Sequence, residues 1–152
     1  MEKFLQLFNN YVLNCAIIAW ASAQVIKTLL YLIINKKFSS ERLVGAGGMP
    51  SSHSAAVCSL TIALSRTVGV ASPMFAIAFI LSVIVMYDAM GVRRAAGEHA
   101  KAINKMIEQN EVGTDDDSKS NQQLKEFLGH TPLEVLGGAI LGILIALIVP
   151  IS

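Results

Sequence analysis

The chain is poor in charge. Of its 152 residues 15% are Asp, Glu, Lys or Arg, while 53% are hydrophobic and the mean hydropathy is +0.55. An ordinary soluble domain keeps its surface wetted with about 25% charged residues, so this composition excludes an ordinary soluble surface. Net charge is scarce as well. Twelve basic residues against eleven acidic ones leave +1, which removes the basic field on which a nucleic-acid binder relies. Cysteine is limited to Cys15 and Cys58, both inside apolar runs, where a thiol is a packing group. A disulfide-stapled secreted scaffold and a cysteine zinc site are thereby excluded. The length suits one domain spanning residues 1–152. The class that remains is a small all-α integral membrane protein.

Four apolar stretches are present: Tyr11–Ile34, interrupted by Lys27; Ser54–Val70, rich in Ala and Ser and carrying Arg66; Pro73–Tyr87, ending at Asp88; and Val135–Ile151, without a charge. A spanning helix needs ~20 mostly apolar residues, with about 17 as the lower limit. The second stretch is too polar to face lipid alone, and its small residues suit a helix enclosed by neighbours. The expectation is a bundle of about four spanning helices. Lys27 is costly inside a span and asks for a partner, for which Asp88 is the first choice. Asp88 has a second candidate partner in Arg93. Ala21-Ser22-Ala23 resembles a signal-peptidase site, but the apolar pattern resumes through Leu29–Ile34, so the segment reads as a span.

Between the third and fourth stretches, Val92–Glu108 places Arg94, Glu98, Lys101 and Lys105 at helical intervals and reads as an amphipathic helix. Residues 111–123 are polar except for Val112 and read as a flexible loop. The Asp115-Asp116-Asp117 run within it reads as solvated loop and not as a magnesium site.

Four spans alternate in direction, so the loops after the first and third share one membrane face. His53, His99, His130, Arg42, Arg93 and Arg94 all fall on that face. In Gly47-Gly48-Met49-Pro50-Ser51-Ser52-His53-Ser54 the Pro and Ser residues start a helix, placing His53 in its first turn. In Gly129-His130-Thr131-Pro132-Leu133-Glu134, Thr131 makes an N-cap, Pro132 takes the first helical position and Glu134 completes a capping box. His130 therefore immediately precedes the last helix. Helix N-termini favour anions, phosphate above all, and arginines recognise phosphate oxygens bidentately. The inferred ligand is a phosphoryl group.

Pro50-Ser51-Ser52-His53-Ser54 resembles the Pro-Ser-Gly-His motif of the type-2 phosphatidic acid phosphatase and vanadium haloperoxidase superfamily. The segment from His130 to Gly138 resembles that superfamily's His-Tyr-Pro-Ser-Asp-Val-x-x-Gly motif. The blocks GGMPSSHSA, YDAMGVRRAAGEHA and LGHTPLEVLGGAILG look like its small divergent branch, across nearly the whole chain. The resemblance implies a helical membrane protein and a phosphatase working through phosphohistidine. Carried over, His130 is the nucleophile, Glu134 its orienting carboxylate and His53 the general acid, a route that needs neither metal nor cofactor. Arg42, Arg93, Arg94, Ser51, Ser52 and Lys36 become phosphate-binding candidates, with His99 and Asp88 as secondary ones. A neutral imidazole is a competent nucleophile, and a second histidine supplies acid near neutral pH.

The chain departs from the superfamily pattern at several positions. Lys36 lies nearer Arg42 than the first motif asks, and Leu43 stands where its proline belongs. Ser52 replaces the glycine of the second motif and Glu134 the aspartate of the third. Leu124 occupies the position of the third-motif arginine, so Arg93 or Arg94 is expected to replace it in space. Arg93 also lies six residues before His99, which mimics half of that motif, but Ile103 holds the acidic position.

Three readings follow. The first is hydrolysis of a lipid phosphate or pyrophosphate. The second is a catalytically inactive relative that binds an anionic headgroup or a partner protein. The third is a metal site built from His53, His99, His130 and Asp88. The expected partner is a membrane lipid, with no nucleic acid and with homo-oligomerisation left open. Nine Lys and Arg residues lie on the histidine-bearing face against two on the other, which predicts that this face is cytoplasmic.

Overall fold

The computed structural model describes residues 8–36, 48–111 and 129–151. Arg42, most of the polar loop, and Leu43 and Leu124 lie outside the described residues. Five helices are seen there: α1 (Tyr11–Asn35), α2 (Ser52–Val68), α3 (Pro73–Met90), α4 (Val92–Glu111) and α5 (Pro132–Ile148). The architecture is an all-α membrane bundle. Its apolar stretches are the four found in the sequence, shifted by a few residues.

The shifts have local causes. Asn10 caps α1 by accepting from Leu13 N–H at 3.1 Å. Ser51 does the same for α2 from Ser54 N–H at 3.4 Å, so that helix starts ahead of its apolar run. Pro73 follows the cap Ser72 at the start of α3, and Gly91 breaks α3 from α4. The α5 helix stops at Ile148 because Pro150 forces the residue before it out of the helical region; Val149 is extended at φ −66° and ψ 123°.

Packing centres on α2, which touches α1, α3 and α5, whereas α4 lies against α3 alone among the described residues. The contact faces are built of small side chains. Cys15, Ala19, Ala23 and Lys27 recur every fourth residue along α1 and are buried, one stripe of a 3.6-residue helix. Gly138, Gly142 and Ala146 are buried along α5 at the same spacing, the two glycines against Ser51, Ser54 and Ala55 at the start of α2. A Cβ on Gly142 would collide with the Ala55 carbonyl oxygen and stand 2.9 Å from its carbon. This is small-residue packing of the kind that lets membrane helices approach closely, where lipid offers no hydrophobic drive. The outward faces are large and apolar: Ile33 of α1 and Ile77 of α3 are about 70% exposed.

Among the described residues two helical stretches, Tyr11–Ile34 and Pro73–Ile107, are long and apolar enough to cross a membrane, and Pro132–Ile148 is apolar but shorter. Polar groups between α2 and α3 satisfy one another: Thr61 and Ser82 hydroxyls lie 2.8 Å apart, and Ser82 also donates to the Val57 carbonyl at 2.9 Å. At the end remote from the histidines, Arg66 donates to the Tyr11 hydroxyl at 2.6 Å, to the Val149 carbonyl at 3.0 Å and to the Ala146 carbonyl. Arg66 thus satisfies the last carbonyls of α5, which no helical N–H can reach.

Candidate functional site

Two backbone hydrogen bonds gather the helix ends that build the site. Ser51 N–H donates to the Glu134 carbonyl at 2.9 Å, and His130 N–H donates to the Ala89 carbonyl at 3.0 Å. The first joins the start of α2 to the start of α5. The second joins the start of α5 to the end of α3. Gly129 makes the latter approach feasible: its φ is +120°, and a Cβ there would press into the backbone of Arg94 and stand 2.7 Å from the Arg93 carbonyl carbon. Only glycine takes this conformation freely.

At this junction lies a cavity of about 280 Å³, lined by His53, Asp88, Arg93 and His130, with Ile84 and Val85 on its apolar side. His130 is 3% exposed. Its Nδ1 is 3.1 Å from Glu134 Oε2. A carboxylate only accepts, so Nδ1 carries the hydrogen and Nε2 presents a bare lone pair. That Nε2 is buried and has no hydrogen-bond partner among the described residues. Glu134 Oε2 also accepts from Thr131 N–H at 2.9 Å, and Thr131 Oγ1 accepts from Glu134 N–H at 3.4 Å. The capping box expected from the sequence is therefore formed, and the same carboxylate orients the imidazole.

His53 stands on the first turn of α2, just ahead of that helix's apolar run, and lines the cavity. Partial burial lowers its pKa below the ordinary 6.5, helped by the positive Arg93, by His130 and by Lys27. Burial likewise lowers the pKa of His130, against the pull of Glu134, which favours the charged ring. Both rings are thereby biased toward the neutral form.

Of the sequence-predicted residues, His53, His130, Glu134, Arg93 and Asp88 come together. Arg93 Nε donates to Asp88 Oδ2 at 2.7 Å, with both side chains partly exposed. The expected Lys27–Asp88 pairing is replaced by two other contacts: Asp88 holds Arg93, and Lys27 Nζ donates to Ser52 Oγ at 3.2 Å. Ser51 and Ser52 are buried beneath the site and bonded within the protein, Ser51 as the α2 cap and Ser52 to Lys27 and Gln24. Arg94 lends its backbone to the Gly129 contact while the residue itself is exposed. Lys36 is the exposed left-handed C-cap of α1, and His99 is exposed on α4; neither lines the cavity. Among the described residues no three His, Cys, Asp or Glu side chains converge as a metal would need, and the metal site considered above loses His99.

Sequence reasoning missed the buried Lys27–Ser52–Gln24 chain. Its signal was a lone lysine in an apolar stretch with a glutamine three residues earlier, on the same face of the helix. Gly129 was also unremarked, although a glycine directly before a histidine and a helix cap is a place where a backbone turns sharply.

A helical membrane bundle with an oriented histidine at the start of its last described helix defines the class. The profile of the Divergent PAP2 family matches residues 8–145, and the chain belongs to that family. The uncharacterized membrane protein YuiD of Bacillus subtilis (strain 168) is 39% identical over 152 residues, covering 95% of this chain and 96% of that protein. No solved structure matches the chain.

Proposed function

We propose that the protein is a multi-pass, phosphatase-like membrane protein whose cavity takes the phosphoryl group of a lipid phosphate or pyrophosphate. One observation carries this reading: a buried imidazole with Nδ1 fixed on Glu134 and Nε2 unbonded among the described residues, sharing a cavity with His53 and Arg93. In the proposed reaction His130 Nε2 attacks phosphorus and the bond to the leaving oxygen breaks. His53, neutral in the free protein, takes up a proton as the anionic phosphoryl group binds beside it and gives that proton to the leaving oxygen. Water then attacks the phosphohistidine, His53 takes up the water's proton, and inorganic phosphate leaves with His130 restored. Glu134 holds Nδ1–H throughout and offsets the positive charge that the ring acquires. Ile84 and Val85 on the cavity wall suit a substrate with an apolar tail.

In this reading α1, α2, α3 and α5 span the bilayer and α4 lies along one surface. The Lys and Arg bias of the loops sets the histidine-bearing end in the cytoplasm. A second reading, an inactive relative that binds an anionic headgroup or a partner protein, draws support from the Arg93–Asp88 pair. That carboxylate occupies the guanidinium a phosphate would use.

Phosphate release by the purified protein from a panel of lipid phosphates and pyrophosphates separates the two. Turnover lost in both His130→Ala and His53→Ala, and retained in EDTA, supports the phosphohistidine route. No release from any member favours the binding protein, and zinc- or magnesium-dependent turnover sinks the mechanism. Orientation is tested with single cysteines at positions 118 and 152 in a cysteine-free background. Labelling by a membrane-impermeant reagent at 118 but not 152 in intact cells would reverse the assignment.

A further inference from the structure

Helix α4 begins one residue past the end of α3, across Gly91, and carries two exposed faces of opposite character. Val92, Ala96, Ile103, Met106 and Ile107 fall on one side of a 3.6-residue helix, and Val92 and Met106 are 67% and 65% exposed. The exposed His99 sits among them, an amphipathic ring of the kind that rests at an interface. Arg94, Glu98, Lys101 and Lys105 take the opposite side and are exposed as well. Lys101 Nζ donates to Glu98 Oε1 at 3.2 Å, and three cations against one carboxylate leave this face positive. A third stripe, Gly97, Ala100 and Asn104, is buried in the protein and fixes how the helix is turned. The apolar face is therefore not the one by which α4 packs. In α3 the outward side chains, Ile80 and Ile84 among them, are large, apolar and exposed. Covalent continuity across Gly91 thus sets the start of α4 where the apolar medium around α3 ends.

We propose that α4 is seated by its apolar face on a bilayer surface containing anionic phospholipids, with its cationic face held by their charge. The inference rests on α3 spanning the bilayer in the reading above, and it adds which face of α4 meets lipid and which lipid chemistry holds it. Seating of such a helix has two sources, the apolar area removed from water and the attraction of basic side chains to anionic headgroups. Both are present here on one helix. The Lys and Arg bias that sets this end in the cytoplasm also sets it against the leaflet that carries anionic lipid. The seat bears on the cavity as well. Arg93, in the first turn of α4, lines it, and Gly129 lies on the Arg93–Arg94 backbone, so what holds α4 to the surface steadies that wall.

The test uses the full chain in nanodiscs of phosphatidylcholine with or without phosphatidylglycerol. In a Cys15→Ala, Cys58→Ala background, one fluorophore at a time is attached through Ile103→Cys, Met106→Cys, Glu98→Cys or Ile80→Cys. Lipids carrying a quencher near the headgroup should quench strongly at 103 and 106 and weakly at 98, while 80 responds to quenchers deep in the acyl chains. In the native-cysteine chain, Lys101→Gln and Lys105→Gln should each lower hydrogen-exchange protection of the α4 amides about fivefold in anionic discs, and less in neutral ones. That measurement carries the test if the cysteine-free chain does not fold. Equal quenching at 98 and 103, or α4 protection indifferent to lipid charge, overturns the proposal. Labels at 103 and 106 that escape lipid quenchers but cross-link between copies overturn it in favour of a second copy of this chain. A label at 80 beyond the reach of every quencher overturns the spanning of α3 and the inference with it, whereas quenching at 80 without quenching at 103 and 106 removes the inference alone.

Discussion

Glu134 does two things with one oxygen, accepting from Thr131 N–H at 2.9 Å and from His130 Nδ1–H at 3.1 Å. Glu134→Gln separates them, because a glutamine amide still completes a capping box but brings no charge to the imidazole. Melting of that variant should stay close to wild type, whereas Glu134→Ala loses the reciprocal hydrogen bond to Thr131 N–H, worth about 0.5–1.5 kcal/mol. The chemistry should respond the other way. A hydrogen bond to a charged group is worth about 1.5–3 kcal/mol and a neutral one about 0.5–1.5, a difference of about 1–2 kcal/mol. Applied to the cationic ring formed on attack, that difference slows phosphoryl transfer roughly 5- to 30-fold in the Gln variant. Glu134 is the partner that pulls the His130 pKa upward, so its neutralisation should move that titration further below the ordinary histidine range. Rapid-quench measurement of phosphohistidine and NMR titration of His130 provide the two readouts. A Gln variant unchanged in both would show that Glu134 only caps α5.

Three further outcomes are expected. The folded pKa of His130 is lowered, so between that value and the unfolded 6.5 the unfolded chain binds more protons; its stability contribution is complete above 6.5 and is lost as pH falls through the lowered pKa. Melting in detergent should therefore be lower at about pH 5 than at about pH 7.5, with the difference reduced in His130→Asn, and an undiminished difference would contradict the burial argument. Gly129→Ala, with φ +120° and a Cβ pressed into the Arg94 backbone, should cost at least about 1–3 kcal/mol and disturb the His130 titration; an unchanged melting temperature refutes it. Asp88→Asn should free Arg93 and tighten phosphate binding, most at low salt, and unaltered affinity would remove Arg93 from the ligand site.

Much of this fold was legible because its signals are local. Asn10, Ser51, Ser72 and Thr131 each precede an apolar run and each forms the cap its residue type favours. The placement of His53 and His130 at two helix starts followed from those caps alone. Pairing of side chains was less legible, because it depends on distances between segments far apart in the chain. Lys27 and Asp88 were natural partners by charge, yet Arg93 lies five residues from Asp88 across the Gly91 break and reaches it first. Lys27 instead meets Ser52, a neutral residue 25 positions away. Hydropathy carries no trace of such a contact. The close approach of α5 to α2 through Gly138 and Gly142 was likewise present as spacing but had no partner until Ser51 and Ala55 were seen against it.

The missing third-motif arginine at Leu124 shows how position in the chain and position in space come apart. Arg93 stands more than thirty residues before His130, yet both line one cavity, because Gly129 lets its segment lie on the Arg93–Arg94 backbone and His130 N–H bonds the Ala89 carbonyl. A guanidinium delivered from the α3–α4 junction arrives with Asp88 from the same junction, so it enters the site already paired. That pairing does not bar it from a phosphate. The side chains are 51% and 37% exposed, and an ion pair so open to water contributes about 0–1 kcal/mol. On the proposed function, a phosphoryl group would offer Arg93 a charge-assisted, bidentate alternative beside the starts of α2 and α5, where helix dipoles favour anions. On that reading, exchange of one carboxylate for one phosphate would cost little, with Asp88 covering the cation until a ligand arrives.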